Sequence, residues 1–316
     1  MLRNLCCLLL LIATNSDAQQ IQNAFSYRET GNDHYFRLNY ENDLFFNTDY
    51  YHTQGVHFEL VNPRLNALKL LFPSAKASVK RYGIGLESAG YTPTSIFADT
   101  ILRGDRPFAG LTYLKAFMLS VNESKRSRLS ATLTLGLMGP SAGGYEIQEF
   151  IHRYTNNPDP LGWKYQVKDQ FIINYEIAFE KGVITQHKYW LLSATALARA
   201  GTLSTKAAGG LVIMGGFFNN PFATVSGKRM VAAYAYTHPE VSVIGYDATL
   251  QGGPFTRGNP YVISSGDISR ITFRNELGLV LSKGRVSLSS YARYFTKEFR
   301  TGKSHMTGGG MIALTF

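Results

Sequence analysis

Along most of the chain, apolar and polar side chains alternate one by one in runs of about ten residues, the signature of strands with two unlike faces. Leu129, Ala131, Leu133, Leu135 and Leu137 alternate with Ser130, Thr132, Thr134 and Gly136. Phe171, Ile173, Tyr175, Ile177 and Phe179 alternate with Asn174, Glu176, Ala178 and Glu180, Ile172 being the exception. Ile271, Phe273, Leu277, Leu279 and Leu281 alternate with Thr272, Arg274, Glu276 and Gly278. Segments of this kind fall near 35–46, 53–61, 81–90, 109–121, 127–138, 171–181, 187–200, 206–217, 230–250, 270–282, 285–297 and 305–316. That makes twelve, an even number as closed bacterial barrels have. Pro239 leaves room for 230–250 to be two shorter strands, so the range is about ten to fourteen. Tyr and Phe gather near strand ends, at Tyr35–Phe36, Phe45–Phe46, Tyr50–Tyr51, Phe217–Phe218 and Tyr291, Tyr294, Phe295, where aromatic girdles would meet a membrane interface. The pattern predicts an all-β chain, a transmembrane antiparallel β-barrel of about twelve strands, with strand 305–316 closing against strand 35–46. A soluble β-sandwich is the alternative.

One segment breaks the period. After Gly139-Pro140-Ser141-Ala142-Gly143-Gly144, the residues Ile147, Phe150, Ile151 and Tyr154 recur at helical spacing, with Gln148, Glu149 and His152 on the other side. A short helix over 145–154 is predicted in a connection of about thirty residues, longer than ordinary loops and so of functional interest. His152 alone reads more simply as a solvated helix residue, and the Gly-Gly pair as a chain turn. A second polar island, Glu41-Asn42-Asp43, lies at the end of the first strand. There Arg37, Asn39, Glu41 and Asp43 share one phase, and Phe36, Leu38, Tyr40 and Asn42 the lipid-facing one. Amide and carboxylate oxygens suit a hard cation such as calcium, although an Asn/Asp-rich hairpin turn explains them as well.

Composition narrows the class. Of 316 residues 45% are hydrophobic and only 17% charged, with a net charge of +10. The first 18 residues read as a secretory signal: Arg3, an apolar run from Leu5 to Ala13, then Ser16-Asp17-Ala18. Residues 19–316 form the barrel domain. Cys6 and Cys7 are the only cysteines, so disulfides and Cys-ligated zinc are excluded beyond them. A basic exported chain calls for an anionic partner, and a phosphorylated glycolipid surface fits better than nucleic acid. No protein partner is inferred.

Taken together, these segments resemble the outer-membrane lipid A 3′-O-deacylase family. The matching stretches are Asn42-Asp43, Tyr51-His52-Thr53-Gln54-Gly55, Tyr91-Thr92-Pro93 and Gly104-Asp105-Arg106-Pro107-Phe108-Ala109-Gly110. They continue with Gly139 to Gly144 leading through Glu146 and Gln148 to His152-Arg153, then Trp163, Gln166 and Glu298-Phe299-Arg300-Thr301-Gly302.

The resemblance implies a twelve-stranded barrel in the outer membrane with a calcium-dependent site between its outer wall and a loop helix. Its reaction would be hydrolysis of the 3′-linked acyloxyacyl ester of lipid A, in lipopolysaccharide of the outer leaflet. His152 would be the general base, Asn42 and Asp43 would stand at the calcium and oxyanion end, and Thr53 beside them. One departure is visible. A family member carries a catalytic-site lysine in the loop before the strand that begins near Leu111, whereas here Ile96 to Arg103 contains none. Arg103 or Arg106 would then bind substrate through its positive charge, or the activity is altered or lost. Three readings stay open: a water-activating histidine, a Ser141–His152 nucleophilic pair, and a non-enzymatic barrel acting as a narrow pore or surface receptor.

Overall fold

The computed structural model describes residues 34–43, 50–72, 76–185, 189–223 and 231–316. The proposed signal segment, both cysteines and Phe45–Phe46 lie outside them. Among the described residues, twelve strands form one closed antiparallel barrel, each paired with its sequence neighbours and β1 with β12. They are β1 (Tyr35–Asn42), β2 (Gln54–Val61), β3 (Val79–Tyr91), β4 (Ala109–Asn122), β5 (Ser127–Met138), β6 (Gln170–Ile184), β7 (Trp190–Gly201), β8 (Ser204–Phe217), β9 (Val231–Asp247), β10 (Ile271–Lys283), β11 (Val286–Phe295) and β12 (His305–Thr315). Closure runs from Tyr35 opposite Thr315 to Asn42 opposite Gly308. Every alternating segment of the sequence is therefore a strand.

Pro239 does not split β9. It pairs with Asn275 of β10 on one side, while on the β8 side the ladder runs from Gly210–Glu240 directly to Ile213–Thr237. The ring without an N–H sits where no ladder bond is asked of it.

The start of β1 and the end of β12 lie at one rim, where Phe316 N–H meets the His34 carbonyl. The opposite rim carries the connections 43–53, 92–108, 139–169, 248–270 and 296–304. The shortest connections on the terminal side are 123–126, 185–189 and 284–285, and the two longest of all, 139–169 and 248–270, lie on the other, the outer-membrane pattern that makes the terminal rim periplasmic and the loop rim external. Leu114, Leu135, Ile173, Leu277, Leu279 and Leu281 stand exposed on the outer wall.

Inward positions are filled with ion pairs. Arg37 meets Glu59 at 2.5 Å, Lys115 meets Glu87, Arg199 meets Glu176, Arg274 meets Glu240 at 3.4 Å, and Arg293 lies between Glu41 and Glu276. Arg37, Glu41, Glu59, Glu87 and Arg293 are each 1–2% exposed. Buried, paired side chains fill the lumen at these positions, which counts against the narrow-pore reading. Tyr35, Tyr291 and Phe295, expected in an outer girdle, also point inward and are buried. Tyr35 donates to Glu59, and Tyr291 donates to Glu41 and accepts from Asn39 Nδ2. Alternation sends neighbouring aromatics to opposite faces, so clustering in sequence overstates the girdle.

Candidate active site on the outer wall

The phase read from sequence for β1 holds. Arg37, Asn39, Glu41 and Asp43 are buried on the lumen side, while Asn42 lies on the outer face, half-buried. Asn42 donates its Nδ2 to the Thr53 carbonyl at 2.6 Å and to Tyr40 Oη at 3.2 Å. This ties the end of β1 to the residue preceding β2. Beside it on β12, Gly308 is opposite Asn42 and Gly310 opposite Tyr40, so the wall next to Asn42 carries no side chain at either position.

The predicted helix, α1, spans Gly144–Thr155. Glu146 in its first turn and Arg153 in its last suit the helix dipole, and Glu149 pairs with Arg153 at i, i+4. Gly143 (φ 75°) turns the chain into the helix, and Asn156 (φ 56°) takes the left-handed cap at its end. Gly144 has a different task. A Cβ there would stand 2.8 Å from Gly110 Cα and 2.8 Å from the Trp163 ring, so a bare backbone lets the helix start press against β4.

The helix is docked with its sequence-apolar side outward. Phe150 and Tyr154 are 60% and 78% exposed, their rings 4.6 Å apart, whereas Gly144, Gln148 and His152 form the buried stripe. The solvated reading of His152 is thus corrected, since the residue is 8% exposed. The cause is the solvent: beside a barrel in a bilayer, apolar side chains lose nothing by facing out, and polar groups turn inward to find partners.

Gln148 supplies those partners. It accepts from Trp163 Nε1 and donates its Nε2 to Thr53 Oγ1 at 2.9 Å. One turn on, about 6 Å along the axis, His152 Nδ1 lies 2.6 Å from the Pro158 carbonyl. A carbonyl only accepts, so Nδ1 carries the proton and a neutral ring keeps its basic lone pair at Nε2. Asn42, Thr53, Gln148 and His152 are therefore joined by a hydrogen bond from strand end to Thr53, another from Thr53 to the helix, and one helical turn. Gln148 and Trp163 stood in the family-like stretches of the sequence, but nothing local marked them as the link between two elements 95 residues apart.

Asp43 faces the other way. Its Oδ2 accepts the His52 N–H at 3.2 Å, and its side of the chain is the lumen mouth. There burial pushes His52 down to about 4, against the opposing pull of Glu41. Asn42 and Asp43 offer hard oxygen donors of the kind calcium selects. Their side chains alternate to different faces, and among the described residues no group of three or more His, Cys, Asp or Glu converges. The donor type suits calcium, but two side chains on opposite faces do not make one site, so only Asn42 offers its side-chain oxygen to an ion on the outer face.

Arg106 is set apart from this outer group. It is 2% exposed, paired with Glu298, bonded to Thr249 Oγ1 at 2.7 Å and stacked 4.5 Å above the Tyr91 ring. Burial lowers its pKa, against the pull of Asp247 and the neighbouring tyrosines. Gly104 joins the same clamp through its N–H to Tyr261 Oη at 2.6 Å and its carbonyl to Thr301. The Gly104–Gly110 and Glu298–Gly302 stretches thus lock external loops over the lumen, a role their spacing did not reveal. Arg103 is exposed. Ser141 gives its Oγ to Asp169 at 2.9 Å. It precedes the helix, whose first residue, Gly144, is already about 12 Å along the axis from His152 by helical rise, so the structure does not bring the two together as a nucleophile and its base.

A family model described as "Outer membrane protein LpxR" matches residues 5–316. No curated protein sequence matches the chain. Among solved structures, LpxR from Salmonella typhimurium is similar at 16% identity, covering 89% of this chain and 100% of that one with a TM-score of 0.71. The β domain of the Bordetella autotransporter BrkA is a more distant likeness, at 10% identity, 90% and 99% coverage and a TM-score of 0.46.

Proposed function

The chain belongs to the outer membrane protein LpxR family, and from that premise we propose that it is a lipid A 3′-O-deacylase working on the outer face of its barrel. The observation that carries the reading is the chain of contacts from Asn42 through Thr53 and Gln148 to the stripe bearing His152. His152, its Nδ1 engaged by Pro158, is oriented to take a proton at Nε2 from a water attacking the ester carbonyl. Collapse of the tetrahedral intermediate would expel the sugar 3′-oxygen, and that proton would return to it, leaving a free hydroxyl and a released carboxylic acid. Asn42 and Thr53 stand where polar groups could steady the developing oxyanion. A calcium ion held in part by the Asn42 oxygen would supply polarisation of the carbonyl. The buried, ion-paired Arg106 is a weaker stand-in for the absent loop lysine than the exposed Arg103.

The test is mass spectrometry of lipid A incubated with the folded barrel. His152→Ala should lower turnover by roughly 10²–10⁴, the range for a positioned acid–base group, Asn42→Ala should be comparably damaging, and Ser141→Ala nearly silent. A dead Ser141 variant beside an active His152 variant would instead establish the serine nucleophile. Wild type releasing no acyl chain from any lipid A would favour a non-enzymatic surface receptor.

A further inference from the structure

Between β2 and β3 the periplasmic rim folds back onto the outer wall. After Asn62, whose Oδ1 accepts the Arg64 N–H at 2.9 Å, a 3₁₀ helix spans Pro63–Leu71. Phe72 then buries itself against Met118 and Ala131, with Tyr82 and Tyr175 packed around it. These are outward positions: Leu114 on β4 and Leu135 on β5, in the same phases, are 62% and 49% exposed, while Lys115 between them points to Glu87 in the lumen. The segment therefore lies on the lipid-facing surface. Its Leu70 is 87% exposed and its Leu71 45%, an arrangement that water alone would not favour and that a bilayer would cover.

The charge of this stretch is one-sided. From Leu60 to Leu86 the chain carries Arg64, Lys69, Lys76, Lys80 and Arg81 and not one Asp or Glu. Between the 3₁₀ helix and β3 lies an open recess of about 280 Å³ lined by Asn62, Pro63, Asn66, Lys80, Arg81 and Tyr82. Lys80 and two amides edge the lipid-facing side of this space, with Arg81 of the inward phase behind it and apolar residues alongside. That combination matches a phosphodiester attached to acyl chains: the phosphate takes ammonium and amide N–H donors, and the chains follow the exposed leucines and the aromatic wall.

We propose that this recess seats the headgroup of an anionic phospholipid from the periplasmic leaflet, holding the barrel by a second lipid contact on the rim opposite the external loops. The site is remote from His152 and independent of the reaction proposed for it. Native mass spectrometry of the full barrel, reconstituted with phosphatidylglycerol or phosphatidylethanolamine and stripped stepwise with detergent, tests it. One phosphatidylglycerol should be retained per barrel in preference to phosphatidylethanolamine, and millimolar inorganic phosphate should not displace it.

Lys80→Glu should weaken retention at least about fivefold, because one cation at an anionic leaflet is worth about that factor and reversal adds repulsion. Lys80→Arg should keep it, and Lys283→Glu, an equal charge change on an exposed residue of the same rim, should leave it unaltered. Heat-modifiable gel migration verifies that each variant is folded. Equal retention of the two lipids, equal loss in Lys283→Glu, or unchanged retention in Lys80→Glu would each overturn the proposal. Full displacement by inorganic phosphate would reduce it to a phosphate site with no lipid specificity.

Discussion

Gln148 offers the most exacting test of how the helix and the wall cooperate. Replacing it with Leu keeps the volume and removes both hydrogen bonds, to Thr53 Oγ1 and from Trp163 Nε1. Trp163 is 2% exposed, so its indole N–H would be left buried and unpaired, at a cost of about 1–3 kcal/mol. The barrel, closed by twelve ladders, would not feel this. The loss falls on the docked state of α1, and through it on the placement of His152 one turn away. If turnover requires the docked helix, a deficit of that size corresponds to a fall of roughly 5- to 150-fold. The assay is acyl release from lipid A in mixed micelles at saturating substrate, with gel migration as the folding control. A purely positioning role makes a further demand. Trp163→Phe removes the orphaned donor, so Gln148→Leu/Trp163→Phe should recover part of the activity lost in Gln148→Leu, because removing both partners costs less than removing one. Wild-type turnover in Gln148→Leu would refute the docking argument, and a double variant no better than the single would move Gln148 from positioning into the chemistry itself.

Three further outcomes follow from the same contacts. Gly144→Ala sets a methyl 2.8 Å from Gly110 Cα and the Trp163 ring; turnover should fall with the barrel intact, and unchanged kinetics would show that the helix start has slack. Arg293→Met strands Glu41 and Glu276 in the lumen and should destabilise by about 3–5 kcal/mol, read as a lower midpoint of urea unfolding in detergent; an unshifted midpoint would mean that water already reaches those carboxylates. Chelation should abolish acyl release and calcium should restore it; full activity in excess chelator would exclude an essential calcium.

The strands were legible because each has two unlike faces, and the period of that contrast is insensitive to what lies on either side. Which face is which was less secure. Tyr35 and Tyr291 read as girdle residues and turned out to donate to lumenal carboxylates, and α1 was found by its apolar stripe, yet docks by the opposite one. Periodicity separates faces, and only the surrounding medium decides which is buried. The outward phase of Asn42 could be read because it needs only a count along β1. The Gln148 bridge and the Arg106–Glu298 clamp join residues 95 and 192 apart in sequence, and such long-range pairs leave no local trace.

The bare stretch of wall beside Asn42, where Gly308 and Gly310 lack side chains, has a kinetic consequence. A molecule reaching it arrives sideways, by lateral diffusion within the leaflet, since the barrel's axis is stoppered by its own ion pairs. Encounter is then two-dimensional, and the governing quantity is the mole fraction of the ligand among its lipid neighbours. Diluting it with inert amphiphile at fixed bulk concentration should slow capture, whereas enlarging the aqueous volume should scarcely matter.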